Sequence, residues 1–224
     1  MEGDQIDTRR FFAIASFASA LLTLALVLTA APPQAPPTEL LAHFRANQGR
    51  FAALAIVVLT WAIVSVPAVV AAGRLVAGSR PTLGLAATML SFGGILLLAF
   101  GTFIFVGALF ALSAATRSPS DAMQANVQAS FWYNMSFLLS DPGLMTLGAG
   151  QAILGILAWR SGAIHRFMAA IGVAGGVAGL LTLAVYQTPF LAIIQLFSFA
   201  VTSASVGVAL WSSTAGARAP SLPR

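Results

Sequence analysis

Long apolar runs separated by short polar segments dominate the chain. A bilayer core about 30 Å thick needs roughly 20 apolar residues in a helix, and six uncharged runs of about that length occur. The runs predict six membrane spans at about residues Phe11–Ala30, Phe51–Ala72, Thr82–Leu112, Pro142–Trp159, Phe167–Tyr186 and Pro189–Trp211. The pattern therefore predicts an all-α, polytopic membrane protein, a six-helix bundle in one domain over residues 1–215 with a tail over 216–224.

Composition supports a membrane protein and excludes several kinds of chemistry. Of the 224 residues, 58% are hydrophobic and 8% are charged, against about 25% charged residues in an ordinary soluble domain. Cysteine and lysine are both absent, which excludes disulfides, thiol nucleophiles and lysine imines. The net charge of +5 comes from arginines scattered over loops, so we expect no nucleic acid partner.

The arginines also predict an orientation. Basic loops beside membrane spans tend to remain in the cytoplasm. With the N-terminus inside, eight of the eleven arginines lie on the inner side, so we expect a bacterial inner-membrane protein with both termini cytoplasmic. Thr8-Arg9-Arg10 partly resembles an export signal, but the run after it is longer than the roughly 7–15 residues of a signal h-region, which favours an uncleaved first helix.

Two outer segments connect the spans. The first begins with the proline-rich "APPQAPP", after which Thr38 could cap a short helix ending near Asn47. That helix would place three apolar side chains on one side and lie on the membrane surface; they are Leu40, Leu41 and Phe44. The second segment, residues 115–140, is either an interfacial helix or an outward extension of the fourth span.

An acid followed by proline interrupts the apolar pattern at Asp141-Pro142. Proline disfavours helix at the residue before it and fits the first turn of a new helix, so Asp141 is predicted to cap the fourth span at the outer boundary. The alternative is a functional acid facing outward. Asp121 lies in the same outer region, and the two carboxylates are the candidate groups of an outer-face enzyme.

Small and polar residues recur at helical spacing in the last three spans. Such faces let membrane helices pack closely, and the short connection before Pro189 predicts that the last two spans form an antiparallel hairpin. A polar-lined cavity is the alternative to simple packing. Its candidate ligand-binding residues are Gln151, Tyr186, Gln195, Ser198 and Thr202.

The two histidines and the lack of charged residues in the predicted spans give little support to metal binding or proton transfer. The predicted topology places His43 and His165 on opposite sides of the membrane, so they cannot ligate one ion. Glu39 and His43 form a weak pair on a short helix. The predicted spans lack ionisable groups, which disfavours a proton relay. We therefore expect neither a metal nor a cofactor.

Three segments carry a family resemblance: the arginine-led first span, "ANQGRFAALAI" from Ala46 and "WRSGAIHRFMAAIGVAGG" from Trp159. They resemble a bacterial family of uncharacterised integral membrane proteins with about six helices, a domain of unknown function. The chain departs from that family at Ile164-His165, where Leu-Pro is common, and at "SDPG" from Ser140, where a His-Gly-rich patch is common. The resemblance implies a topology and carries no catalytic residue, because the family has no assigned activity.

Three functional hypotheses follow from these patterns. The uncharged bundle with small-residue faces favours an accessory or assembly protein, or a binder of a lipid-like ligand. Membrane lipid is then the expected partner, together with other membrane protein subunits. The alternative is a carrier or channel for a small neutral solute, and the third hypothesis is the outer-face enzyme with Asp121 and Asp141.

Overall fold

The computed structural model describes residues 2–29, 39–78, 80–116, 118–182 and 189–216. Within these ranges the chain forms seven α-helices and no strand, which confirms the predicted all-α membrane bundle. The helices are α1 (Glu2–Thr29), α2 (Leu40–Ala46), α3 (Gln48–Ala77), α4 (Pro81–Ala115), α5 (Pro119–Ser161), α6 (Arg166–Leu181) and α7 (Pro189–Gly216). The predicted tail beyond Gly216 lies outside the described residues.

Six of the seven helices form a closed ring. Each packs on the next in the order α1, α3, α4, α5, α6 and α7, and α7 packs back against α1. The neighbours are antiparallel, as shown for α1 and α3 by the hydroxyl pair of Ser19 and Ser65 at 2.7 Å and by the bond from Trp61 to Thr23. Contacts across the ring join α3, α5 and α7, so the interior is filled mainly by these three helices.

One end of the ring carries most of the described arginines, and we call it the basic end. It includes the start of α1, the ends of α3, α5 and α7, and the loops between them. Its arginines are Arg9, Arg10, Arg74, Arg80, Arg160 and Arg166. Trp159 and Trp211 lie near the same end and are 46% and 48% exposed. Exposed indoles prefer the headgroup layer, so this end marks one boundary of the membrane.

Five of the described helices are long and apolar enough to cross a membrane, and they identify a multi-pass membrane protein. The sixth predicted span is shorter here. Helix α6 has 16 residues, a length of about 24 Å, and the last part of the predicted span, residues 183–186, lies outside the described residues. Large apolar side chains such as Leu21, Leu28 and Ile63 are exposed on the bundle, as expected for surfaces that face lipid.

The prediction that a helix begins at Asp141 is wrong. Helix α5 runs without a break through Pro142, and its start lies at Ser118. There the Ser118 hydroxyl accepts from the Asp121 N–H, and the Asp121 carboxylate accepts from the Ser118 N–H. This capping box satisfies two free N–H groups, whereas an internal proline removes only one hydrogen bond and is tolerated in membrane helices. Residues 119–140 therefore extend the fourth span away from the basic end.

Helix α2 packs on this extension of α5 and on α4. Leu40, Leu41 and Phe44 are buried together, as predicted. The Leu41 N–H donates to Asn126 Oδ1 at 3.0 Å, and the Phe44 ring meets Phe110 edge to face at 4.9 Å. The apolar side of α2 thus packs onto protein.

Candidate functional site

A network of polar side chains joins α5 to α7 inside the ring. Gln195 is fully buried, and its Nε2 donates to the Leu144 carbonyl oxygen at 2.7 Å. Gln151 Nε2 donates to Ser198 Oγ at 2.5 Å, and Ser198 Oγ donates to the Gln195 carbonyl oxygen at 3.1 Å. In lipid, where water does not compete, such interhelical bonds help to fix the packing of the bundle.

The network also fixes the orientation of the Gln151 amide. Ser198 has one hydroxyl proton, which it gives to the Gln195 carbonyl oxygen, so Ser198 Oγ accepts from its other neighbour. Gln151 must therefore present its NH₂ group to Ser198 and turn Oε1 the other way. Oε1 is buried and has no hydrogen-bond partner within the described structure.

A cavity of about 40 Å³ lies inside the ring beside this network. Ser91 of α4 lines it as well, and the Ser91 hydroxyl is buried without a hydrogen-bond partner among the described residues. Ser91 is only 1% exposed and Gln151 only 3%. We call this space the central cavity; its lining comprises Ala68, Val69, Ala72, Val76, Ser91, Gln151, Leu154, Gly155, Ala158, Ile164, Phe199, Thr202, Ser203 and Val206.

Apolar residues bound the central cavity toward both ends of the ring. Ile164 belongs to the loop between α5 and α6 at the basic end, yet it is buried and lines the cavity. On the other side Phe199 packs with Trp61 and Leu147 in one cluster. The cavity is therefore lined mainly by apolar residues, and four polar side chains, Ser91, Gln151, Thr202 and Ser203, face it.

A second space opens at the basic end between α1, α3 and α7, and we call it the basic groove. Its volume is about 740 Å³. Arg9 and Arg74 line it with three other polar residues, and its remaining lining is apolar. The complete lining is Gln5, Thr8, Arg9, Phe12, Ala71, Arg74, Leu75, Leu210 and Ser213. The groove thus combines positive charge with an apolar wall.

The structure brings most of the candidate ligand-binding residues together. Gln151, Gln195 and Ser198 form the network, and Thr202 lines the central cavity while its hydroxyl donates to the Ser198 carbonyl oxygen at 2.9 Å. Tyr186 lies outside the described residues. The predicted meeting of the last two spans is confirmed, since Gly172 packs against Thr202.

The two candidate acids do not come together. Asp121 and Asp141 both lie on the continuous α5, separated along its axis by about 30 Å at 1.5 Å per residue. The Asp121 carboxylate is engaged in the capping box. They cannot act as a pair on one substrate within one subunit.

One residue of the central cavity and one buried polar helix face were missed from the sequence. Ser91 lies on a buried small-residue face of α4 with Gly84, Ala87 and Gly94, at three- and four-residue steps. The polar face of α1 repeats at the same steps through Ser16, Ser19 and Thr23, all fully buried. That rhythm matches the one found in the last spans, and it would have predicted that α1 turns this face to the bundle interior.

The fold and the two spaces define a polytopic helical membrane protein with a small buried polar network and a basic groove at one end. The chain matches the domain of unknown function DUF4386 over residues 11–212 and belongs to that family. This confirms the resemblance seen in the sequence. Among curated proteins and solved structures, none matches the chain.

Proposed function

We propose that this membrane protein binds an anionic phospholipid-type amphiphile in the basic groove and serves as a lipid-binding accessory protein. The observation that carries the proposal is that Arg9 and Arg74 line the same groove as several apolar side chains, at the membrane boundary. Basic pockets between membrane helices at this level suit anionic lipid headgroups. Membrane lipid is therefore the partner that we propose.

The ring brings the groove's charges together from distant parts of the chain. The pairs Ser19 with Ser65 and Thr23 with Trp61 fix the register of α1 against α3. Continued along both helices, that register places the level of Arg9 beside the level of Arg74. The Arg74 guanidinium carbon lies 5.7 Å from the centre of the Phe12 ring. This cation–π contact stabilises the charged guanidinium, and the N–H groups in the guanidinium plane can still bind a ligand.

Charge and hydrogen bonding both suit a phosphate. No acidic residue is among the described residues that line the groove. Guanidinium groups bind phosphate oxygens in a two-pronged arrangement that lysine cannot form. Leu75 and Leu210 provide apolar wall for the upper part of an acyl chain.

Size favours the groove over the interior as the lipid site. A volume of about 740 Å³ lies within the roughly 300–1,000 Å³ of typical small-ligand pockets. The central cavity, at about 40 Å³, has room for only a few water-sized groups. We accordingly place the lipid-like ligand at the basic end, away from the Gln151 network.

A carrier or channel for a small neutral solute is the second candidate. The observation in its favour is the central cavity, where Gln151 Oε1 and Ser91 Oγ lack partners within the described structure. The outer-face enzyme has no comparable support, because Asp121 and Asp141 lie far apart on α5.

The lipid proposal is tested with the Arg9→Gln, Arg74→Gln double variant. Each charged hydrogen bond contributes about 1.5–3 kcal/mol, so loss of both guanidinium groups should weaken binding of phosphatidylglycerol at least about tenfold. The measurement is native mass spectrometry of the detergent-purified protein titrated with phosphatidylglycerol or phosphatidylcholine. Arg160→Gln is the matched control, since Arg160 is exposed at the same end and does not line the groove.

Three results would decide the matter. Retained phosphatidylglycerol in the double variant, or an equal loss in Arg160→Gln, would refute the groove as the site. Equal affinity of the unaltered protein for both lipids would refute selection by charge. Glycerol 3-phosphate tests the headgroup alone: competition at concentrations near those of the lipid would show that the ligand is a soluble phosphate.

A further inference from the structure

The central cavity holds two polar atoms whose hydrogen-bonding capacity is unused within the described structure. Gln151 Oε1 is an acceptor, and Ser91 Oγ can both donate and accept. Both belong to side chains that are at least nine-tenths buried, and both residues line the same space. Gln151 belongs to α5 and Ser91 to α4, so their common position in the cavity results from the packing of two helices and not from the spacing along one helix.

Leaving such groups dry inside a membrane is costly. Buried polar groups are almost always satisfied by protein or by ordered water, and lipid offers no substitute. The Ser91 hydroxyl would ordinarily bond to the carbonyl four residues earlier, as Thr88 does to Gly84 at 2.8 Å. Ser91 instead packs over Gly150 and makes no such bond in the described structure.

We propose that the central cavity is a binding site for water, or for a neutral hydrogen-bonding molecule of two or three heavy atoms, held between Ser91 and Gln151. One water needs about 10–15 Å³ of such space, so a volume of about 40 Å³ accommodates about three. The lining residues are all uncharged, which favours a neutral occupant. This site is independent of the basic groove.

Ile164 closes this site toward the basic end. It follows Gly162, whose φ of 68° is a left-handed conformation that glycine adopts readily, and this turn directs the loop back to the bundle. Ile164 is buried among Val76, Ala158 and Val206, while the next residue, His165, is exposed. An apolar side chain of a short loop therefore closes the cavity toward the basic end together with Val76, Ala158 and Val206.

The chain contains no cysteine, so single introduced thiols can test hydration directly. A thiol reacts as its thiolate, which forms only where water reaches it. We expect Ser91→Cys in proteoliposomes to be oxidised to the sulfenic acid by hydrogen peroxide, a neutral reagent of two heavy atoms, at least tenfold faster than Ser65→Cys. Ser65 is the matched control because it is fully buried and hydrogen-bonded to Ser19 but does not line the cavity.

Further variants make the outcome decisive. Ser203→Cys, which also lines the cavity, replaces Ser91→Cys if the latter does not fold. Adding Ile164→Ala should speed the reaction at the cavity thiol by a further tenfold and leave Ser65→Cys unchanged. A cavity thiol that reacts as slowly as Ser65→Cys would overturn the proposal, and an unchanged rate with Ile164→Ala would overturn the assigned closure.

A final arm separates the two occupants. If formamide, a neutral molecule of three heavy atoms, at 100 mM slows the reaction of the cavity thiol at least twofold while the Ser65→Cys rate is constant, a solute enters the site. If it has no effect, the occupant is water. Both results support the hydrated site.

Discussion

Gly94→Leu is expected to prevent assembly of the folded bundle, whereas Gly93→Leu is expected to be tolerated. A Cβ at residue 94 would lie 2.6 Å from the Gly143 carbonyl oxygen and would also meet the Leu147 backbone nitrogen. Both are backbone atoms of α5, and they cannot move unless the two helices separate. At residue 93, one step along the same helix, an added Cβ would meet nothing within 4 Å.

The physical reason lies in how membrane helices associate. In lipid, the gain comes from close van der Waals packing, which small residues permit. A leucine at residue 94 would separate α4 from α5 over several turns and remove those contacts. Fluorescence-detected size-exclusion chromatography of both variants in mild detergent measures the folded fraction. A monodisperse, heat-stable Gly94→Leu protein would contradict the assigned α4–α5 interface.

Trp61→Ala should cause the second largest loss of stability. Trp61 is 1% exposed, donates from Nε1 to Thr23 Oγ1 at 2.8 Å and meets Phe199 edge to face at 6.2 Å. The substitution would leave a cavity at the centre of the ring and remove a buried hydrogen bond. A buried Trp→Ala change costs about 3–5 kcal/mol, in this case mainly through lost packing contacts.

Trp159→Ala provides the matched control. Trp159 is 46% exposed near the basic end, and substitutions at exposed positions usually change stability by less than about 0.5 kcal/mol. Thermal unfolding followed by intrinsic fluorescence, or by light scattering for aggregation, compares both variants with the unaltered protein. Similar unfolding temperatures for the two variants would contradict a core position for Trp61.

The sequence predicted the helical bundle and much of its interior. Uncharged runs are long enough to reveal spans, because the bilayer thickness sets a minimum length. Residues at three- and four-residue steps lie on one face of a helix, so Gln195, Ser198 and Thr202 could be grouped before any contact was known. The connection between α6 and α7 is short, so the two helices must pack side by side. Gly172 of α6 then packs against Thr202, and Gly179 packs against Gln195.

The position of Asp141 was harder to predict, because two local rules compete there. Acid-proline pairs favour a helix start, but the same pair is tolerated inside a helix if the chain has a stronger start elsewhere. Ser118 and Asp121 provide that start. Only the continuous packing of α5 on α4, seen where Gly101 meets Ser140, shows that the helix passes through Pro142.

The two spaces depend on contacts that no local pattern encodes. Ser91 and Gln151 line one cavity because α4 and α5 pass each other closely at Gly150. Arg9 and Arg74 meet because α1 crosses back to α3 and α7. Both arginines are visible in the sequence, but their common position depends on closure of the ring.

Closure of that ring by the first and last helices is the central claim. Phe17 of α1 and Gly207 of α7 are in contact where the two helices meet. The chain has no other cysteine, so the Phe17→Cys, Gly207→Cys double variant should cross-link within one molecule when native membranes are treated with a short bifunctional thiol reagent. Phe17→Cys with Gly93→Cys on α4 should not. An intramolecular cross-link of the first pair alone is predicted; cross-linking of the second pair, or only intermolecular products from the first, would contradict the closed ring.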